Sequence, residues 1–234
     1  AKYSPDAVLT VTEQYAALGI KVIHLWEDVW HQKEQIVRSR LSALLKKTQR
    51  IPARLTQVQR VDKPTLAQFL NLNHLQVFAG AKYKYGLFLP PRYFRVLNER
   101  AMNLTTDAPL LVAVASFSGG KNFVRHGEAY RSFELIRFAN LLDCTVVGGL
   151  DKLLSAFIKE ARPDDIMTYA DRDWSDGSSY ERLGFERLGT TPPQEFWVNP
   201  ETFERVSEKR PDNAIKIFNA GNIKYLLDLK KNPK

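Results

Sequence analysis

The segment Pro109–Phe117, PLLVAVASF, sets the strongest limit on how this chain folds. It is an almost unbroken apolar run rich in valine. At this length such a run reads as a strand buried on both faces rather than as a helix. Downstream, Ser132–Ala139 alternates Phe133, Leu135 and, less strictly, Phe138 with polar residues. The intervening Gly119-Gly120 predicts that this second strand returns antiparallel beside the first. Val146-Val147-Gly148-Gly149 then leads into an amphipathic helix, Leu150–Ala161, with Leu150, Leu153, Leu154, Phe157 and Ile158 as its apolar stripe, stopped by Pro163. A strand at Asp165–Ala170, a short helix at Ser178–Leu183 and strands at Glu186–Gly189 and Phe196–Val198 follow.

Upstream, Ala7–Leu18 reads as a helix closed by Gly19, Val22–Leu25 as a short strand, and the stretch after Glu27 and Asp28 as a basic helix ended by Ile51-Pro52. This small unit cannot hold a core alone, which favours an upstream partner. Arg54–Val61 alternates as a strand, a helix opens at Pro64 with Leu66, Phe69, Leu70 and Leu72 on its apolar side, and Lys84–Leu89 is a strand stopped by Pro90-Pro91. A boundary near residue 50 is the natural cut.

Charge is strongly uneven. Residues 31–63 hold nine bases and only two acids, so +7 of the net +8 lies there. Lys33, Arg40 and Lys47 recur every seven residues, off the apolar face formed by Val37, Leu41, Leu44 and Leu45. With Arg38, Lys46 and Arg50 they form either a solvated helix face or a cationic ridge for a polyanion such as DNA. The 44% hydrophobic and 26% charged residues argue against global disorder. No apolar run approaches the ~18–20 residues that span a bilayer, and the opening AKYSPDAVLT lacks the plan of a signal peptide, so a cytoplasmic, membrane-free protein is expected. Cys144 has no disulfide partner, and His24, His31, His74 and His126 are scattered, which leaves no metal site to expect.

The order of elements, ending in Tyr180-Glu181-Arg182-Leu183-Gly184-Phe185, resembles the GNAT acyltransferase superfamily over roughly residues 51–200. The resemblance implies an α/β fold with a mixed, largely antiparallel sheet flanked by helices, preceded here by the small basic helix-strand-helix unit. The implied organisation is a basic unit at 1–50, a GNAT-like domain at 51–200, and a C-terminal extension at 201–234 packing on that domain. It also implies acetyl-CoA or another acyl-CoA at Val147, Gly148, Gly149, Leu150 and Lys152, because amides at a glycine-led helix N-terminus favour a pyrophosphate. The family's loop begins with Gln or Arg and ends with Gly or Ala, whereas this one has Thr145 and Leu150 at those places. A tight strand-to-helix turn would use the same glycines.

N-acyl transfer needs a base for the attacking amine and an acid for the departing thiolate, and the resemblance puts Glu134 and Tyr180 in those roles. The plainer alternatives are a strand residue paired with Arg137 and a core aromatic. In ADRDWSDGSS, Asp171, Asp173 and Asp176 read as turn formers, with Arg172 or Trp174 facing a ligand. A second resemblance lies in IKVIHLWEDVWHQKEQIVRSRL, which looks like the closing part of nucleases related to very-short-patch repair endonucleases. FLNLNH, VVGGLDKLL and YADRDWSDGSSY are similar to phage and bacterial proteins that join such a piece to a GNAT-like domain. The metal-binding carboxylates of those nucleases lie upstream of the portion present here, so Glu27 and Asp28 read as first-turn acids. Two functions follow: acyl-CoA-dependent N-acyl transfer, or a non-catalytic DNA-associated accessory module of a phage or mobile-element nuclease system.

Overall fold

The computed structural model describes residues 4–76, 78–125, 127–206 and 213–231. The chain is a mixed α/β protein whose sheet is largely antiparallel and flanked by helices. It opens with helices α1 (Pro5–Ala17) and α2 (Glu27–Leu44), then strands β1 (Gln49–Pro52) and β2 (Gln57–Arg60), helix α3 (Lys63–Asn73) and strand β3 (Tyr83–Leu89). The short helix α4 (Glu99–Met102) precedes β4 (Leu110–Phe117), β5 (Lys121–Arg125), β6 (Glu128–Asn140) and β7 (Cys144–Val147). Next come α5 (Gly149–Ala161), β8 (Asp165–Asp171), α6 (Ser178–Glu181), β9 (Glu186–Thr190), β10 (Glu195–Val198), β11 (Arg205–Val206), β12 (Ile215–Phe218) and β13 (Asn222–Asp228). These elements form two compact units. One holds Ala1–Glu34 and Met167–Leu227, and the other holds Gln35–Ile166 and Asp228–Lys234.

In the second unit β2, β3, β4 and β6 lie side by side, each antiparallel to its neighbour. The PLLVAVASF run is the buried centre: Val112 to Phe117 of β4 are all buried, and β6 returns beside it as the alternation predicts. The glycine connection holds an extra strand, because β5 folds back on the first residues of β6, Lys121 opposite Ser132. Helix α5 covers one face through Phe157, which stacks on Phe117 at 3.9 Å and meets Tyr83, Tyr85 and Phe133 edge-on. Its Leu153, Leu154 and Phe157 are fully buried, and α3 buries Leu66, Phe69 and Leu70 while Leu72 points outward. β1 runs parallel to β7, Arg50 opposite Thr145 and Ile51 opposite Val146, so residue 50 lies inside a ladder.

The first unit has two antiparallel groups, β9 with β13, and β10 between β11 and β12. The expected closing hairpin of Glu186–Gly189 with Phe196–Val198 is therefore not formed. β9 takes its partner from the last strand instead, Ile223 opposite Thr190. Tyr225, fully buried on β13, donates from its hydroxyl to Glu181 Oε1 at 3.0 Å and to the Asp176 carbonyl at 3.3 Å.

Three local expectations are corrected. Val22–Leu25 is no strand, and the His24 N–H instead donates to the Asp173 carbonyl at 2.9 Å. Residues 54–61 divide into a single 3-10 turn at Ala53–Leu55 followed by β2. Helix α2 has non-helical backbone at Lys33 (φ −141°, ψ 36°) and ends at Leu44, so Lys33, Arg40 and Lys47 do not share one continuous helical face. Its buried side is Ile36, Val37 and Ser39, while Leu44 and Leu45 are exposed.

Candidate functional site

Gly148 takes the left-handed conformation (φ 77°) that ends β7 and starts α5, and it provides no side-chain cap. Only glycine adopts that φ without strain. Gly149 is equally constrained by space, since a Cβ there would sit 3.0 Å from Val146 and 3.3 Å from Leu87. The first amides of α5 have no partner within the helix, and the dipole adds positive potential where they point. Val147 and Gly148 are exposed and Leu150 is half-buried. Lys152 turns away from the helix end: its ammonium donates to the carbonyls of Ala53, at 2.9 Å, and Thr56, which fixes the 3-10 turn beside α5. Asp151 stands exposed in the first turn. The loop therefore offers an anion backbone donors rather than a side-chain cation.

Glu134 sits on β6 next to an irregularity. The β4–β6 register slips at Ser116/Phe117, so that Ser116 faces Arg137 and Phe117 faces Leu135, with Ile136 as the extra residue. Just beyond, the Glu134 backbone is held on both sides, its N–H donating to Ser118 Oγ and its carbonyl accepting from the Ser118 N–H, each at 2.9 Å. The half-buried carboxylate has no hydrogen bond or ion pair among the described residues, so the expected pairing with Arg137 is absent. Cys144, on β7, is no rival nucleophile. Burial pushes its thiol up to about 11, so the thiolate is scarce at neutral pH.

Tyr180 belongs to the other unit. Its ring packs at 5.6 Å from both Phe185 and Tyr225. The aspartate-rich segment before it forms the expected turn: the N–H groups of Asp173, Trp174 and Ser175 all donate to Asp171, and the Ser178 N–H to Asp176 Oδ1. Trp174 is buried, which removes it as a ligand-facing residue. Asp173 is buried too, and accepts from the Ala220 N–H at 2.7 Å and Trp26 Nε1 at 3.2 Å. Burial and the neighbouring Asp171 push its carboxyl up to about 6. Asp28, a first-turn acid of α2 as expected, receives a bidentate pair from Arg205 at 2.6 and 2.9 Å. These partners lie 147 and 177 residues apart in sequence, and no local pattern announces them.

Of the basic residues, Arg38, Lys46, Lys47 and Arg50 are exposed and Lys33 and Arg40 half-buried. Burial holds the Lys33 ammonium below the usual lysine value. Among the described residues no group of three or more His, Cys, Asp or Glu is arranged to hold a metal ion, and His126 lies outside those residues. No described helix is long and apolar enough to cross a membrane.

No known family profile matches the sequence, and no curated protein matches it. Solved structures do. A Bacillus subtilis acetyltransferase in complex with CoA is similar at 13% identity and a TM-score of 0.44, covering 74% of this chain and 99% of its own. The Vibrio cholerae spermidine/spermine N-acetyltransferase SpeG, solved with manganese ions, is similar at 10% identity and 0.41, covering 76% and 96%. The KacTA–DNA complex gives 18% identity and 0.36, over 57% and 86%. Likeness at this level assigns no chemistry to the present chain.

Proposed function

We propose that the protein is an acyl-CoA-dependent N-acyltransferase of the GNAT kind. The observation that carries this reading is the open N-terminus of α5, set after a left-handed Gly148 and without a side-chain cap. A pyrophosphate suits that donor set: its oxygens accept from the amides of residues 149–151, and the absence of a Cβ at 148 and 149 keeps the approach clear. Lys152 serves the fold rather than the phosphates, and Val147 and Leu150 border the approach. Bound acyl-CoA would supply the activated acyl group. The chain's own contribution is proton handling: the Glu134 carboxylate, free of internal partners, takes the proton of the attacking amine, and the Tyr180 hydroxyl returns one to the departing sulfur.

The test is a melt of the protein with acetyl-CoA and with free CoA. A ligand present at one hundred times its Kd adds about 2.7 kcal/mol, or roughly 5–10 °C for a chain of this size. Absence of any shift with short acyl-CoA esters and with CoA overturns the reading.

A second reading, attachment to DNA through residues 31–63 without catalysis, draws on the exposed Arg38, Lys46, Lys47 and Arg50, joined by the half-buried Lys33 and Arg40. The two readings are compatible, since the bases named for DNA are not those named for acyl transfer.

A further inference from the structure

The unit holding Ala1–Glu34 and Met167–Leu227 contains a guanidinium with far more donors than partners. The Arg172 side chain keeps 10% of its exposure, so it is nine-tenths buried. A guanidinium has five N–H donors. Among the described residues its one side-chain partner is Glu13 Oε1, 3.5 Å from Nη2, at the outer limit of a hydrogen bond. Glu13 itself is 68% exposed on α1, and a pair of that kind contributes little. A buried charge normally has close, well-directed partners. Here the backbone holds the group in place regardless: the Arg172 N–H donates to the Gly221 carbonyl at 3.1 Å, and the next three residues form the turn on Asp171.

The surroundings favour a single negative charge. Thr12 Oγ1 donates to the Val8 carbonyl at 2.8 Å, so its 2.7 Å contact with His24 has Nε2 of the imidazole as donor. Burial and the charge of Arg172 hold His24 below its ordinary value, which keeps the ring neutral and leaves Arg172 as the local cation. Asp171 also acts electrostatically on His24, and on Asp173. A dianion would meet that negative charge, whereas a carboxylate matches one guanidinium fork in charge and in its two coplanar oxygens. We propose that Arg172 anchors a site for a small-molecule carboxylate, with the side chain of Glu13 as the stand-in that such a ligand displaces. This site is independent of the acyltransferase reading, and a protein inert to acyl-CoA would retain it.

The experiment is calorimetric titration of the full chain at constant ionic strength with benzoate, its neutral isostere benzamide, and inorganic phosphate. Benzoate should bind and benzamide should not. Glu13→Gln, a change at an exposed position, should tighten benzoate about two- to five-fold by removing the competitor. Arg172→Lys, which keeps the charge without the fork, should lose the binding, with circular dichroism as the check on folding. If the lysine variant does not fold, the tightening in Glu13→Gln carries the test. Benzoate affinity unchanged by Glu13→Gln, equal binding of benzamide, preference for phosphate, or no benzoate binding at millimolar concentration each overturns the proposal.

Discussion

Replacing Asp173 by asparagine isolates the energetics of one buried carboxylate. Its folded-state value is about 6 against an ordinary 3.8, because burial and Asp171 outweigh the stabilising Ala220 N–H, Trp26 Nε1 and Arg205. The folded state therefore binds the proton more tightly than the unfolded chain. Below about pH 4 both states are protonated and the group is neutral in the balance. As pH rises through 4 to 6 the unfolded chain releases its proton first, so stability falls, and above about 6 the penalty levels off. At about 1.36 kcal/mol per pH unit, the rise from 3.8 to about 6 corresponds to about 3 kcal/mol. Asp173→Asn removes this penalty but turns an amide N–H₂ toward the Trp26 donor if its oxygen keeps the Ala220 bond, a cost of about 1–2 kcal/mol. The variant should thus be more stable than the parent by about 1–2 kcal/mol at about pH 7.5 and less stable at about pH 4, with the crossover between. Urea unfolding of both proteins across that range is the assay. His24, whose depressed value gives the opposite slope, is present in both chains and cancels in the difference. A difference that stays flat with pH, or that moves in favour of the parent as pH rises, refutes the reasoning.

Gly177→Ala should cost about 2–4 kcal/mol, because φ there is +80° and a Cβ would collide with the buried Tyr225 ring and hydroxyl; an unchanged denaturation midpoint contradicts it. Tyr180→Phe keeps the ring contacts with Phe185 and Tyr225, so it should lower acyl-transfer turnover by roughly tenfold or more with little loss of stability, and equal turnover removes Tyr180 from the mechanism. If the basic residues meet phosphates, duplex affinity should fall with log salt at about −0.9 per contact, a slope of roughly −3.6 for the exposed Arg38, Lys46, Lys47 and Arg50. Reversal of those four to Glu that leaves an anisotropy titration unchanged refutes DNA contact through them.

What the sequence disclosed follows from the range over which each feature is encoded. β4, β6 and α5 were legible because their signal is contained in the element itself: an apolar run, an alternation, a stripe recurring every three or four residues. The left-handed turn at Gly148 was legible for the same reason, since two glycines between a valine pair and an amphipathic stripe leave few other conformations. Val22–Leu25 shows the limit of this logic. Four apolar-leaning residues have strand propensity, but a strand exists only when another edge takes its hydrogen bonds. Here the His24 N–H is claimed by a turn carbonyl 149 residues later. The partner of β9 was hidden likewise, because a strand's alternation says which face is buried and nothing of which strand lies beside it. The candidate site divides along the same line. Glycine conformation at 148 is local and readable. The partners that direct Lys152 to Ala53 and Thr56, Trp26 to Asp173 and Arg205 to Asp28 are separated by 96 to 177 residues, and they decide which charged groups stay available for a ligand. Sequence motifs nominate chemistry by residue type, whereas availability is settled by long-range pairing. Of the residues nominated here, that pairing leaves the carboxylate of Glu134 and the guanidinium of Arg172 underused and commits Lys152 to the fold.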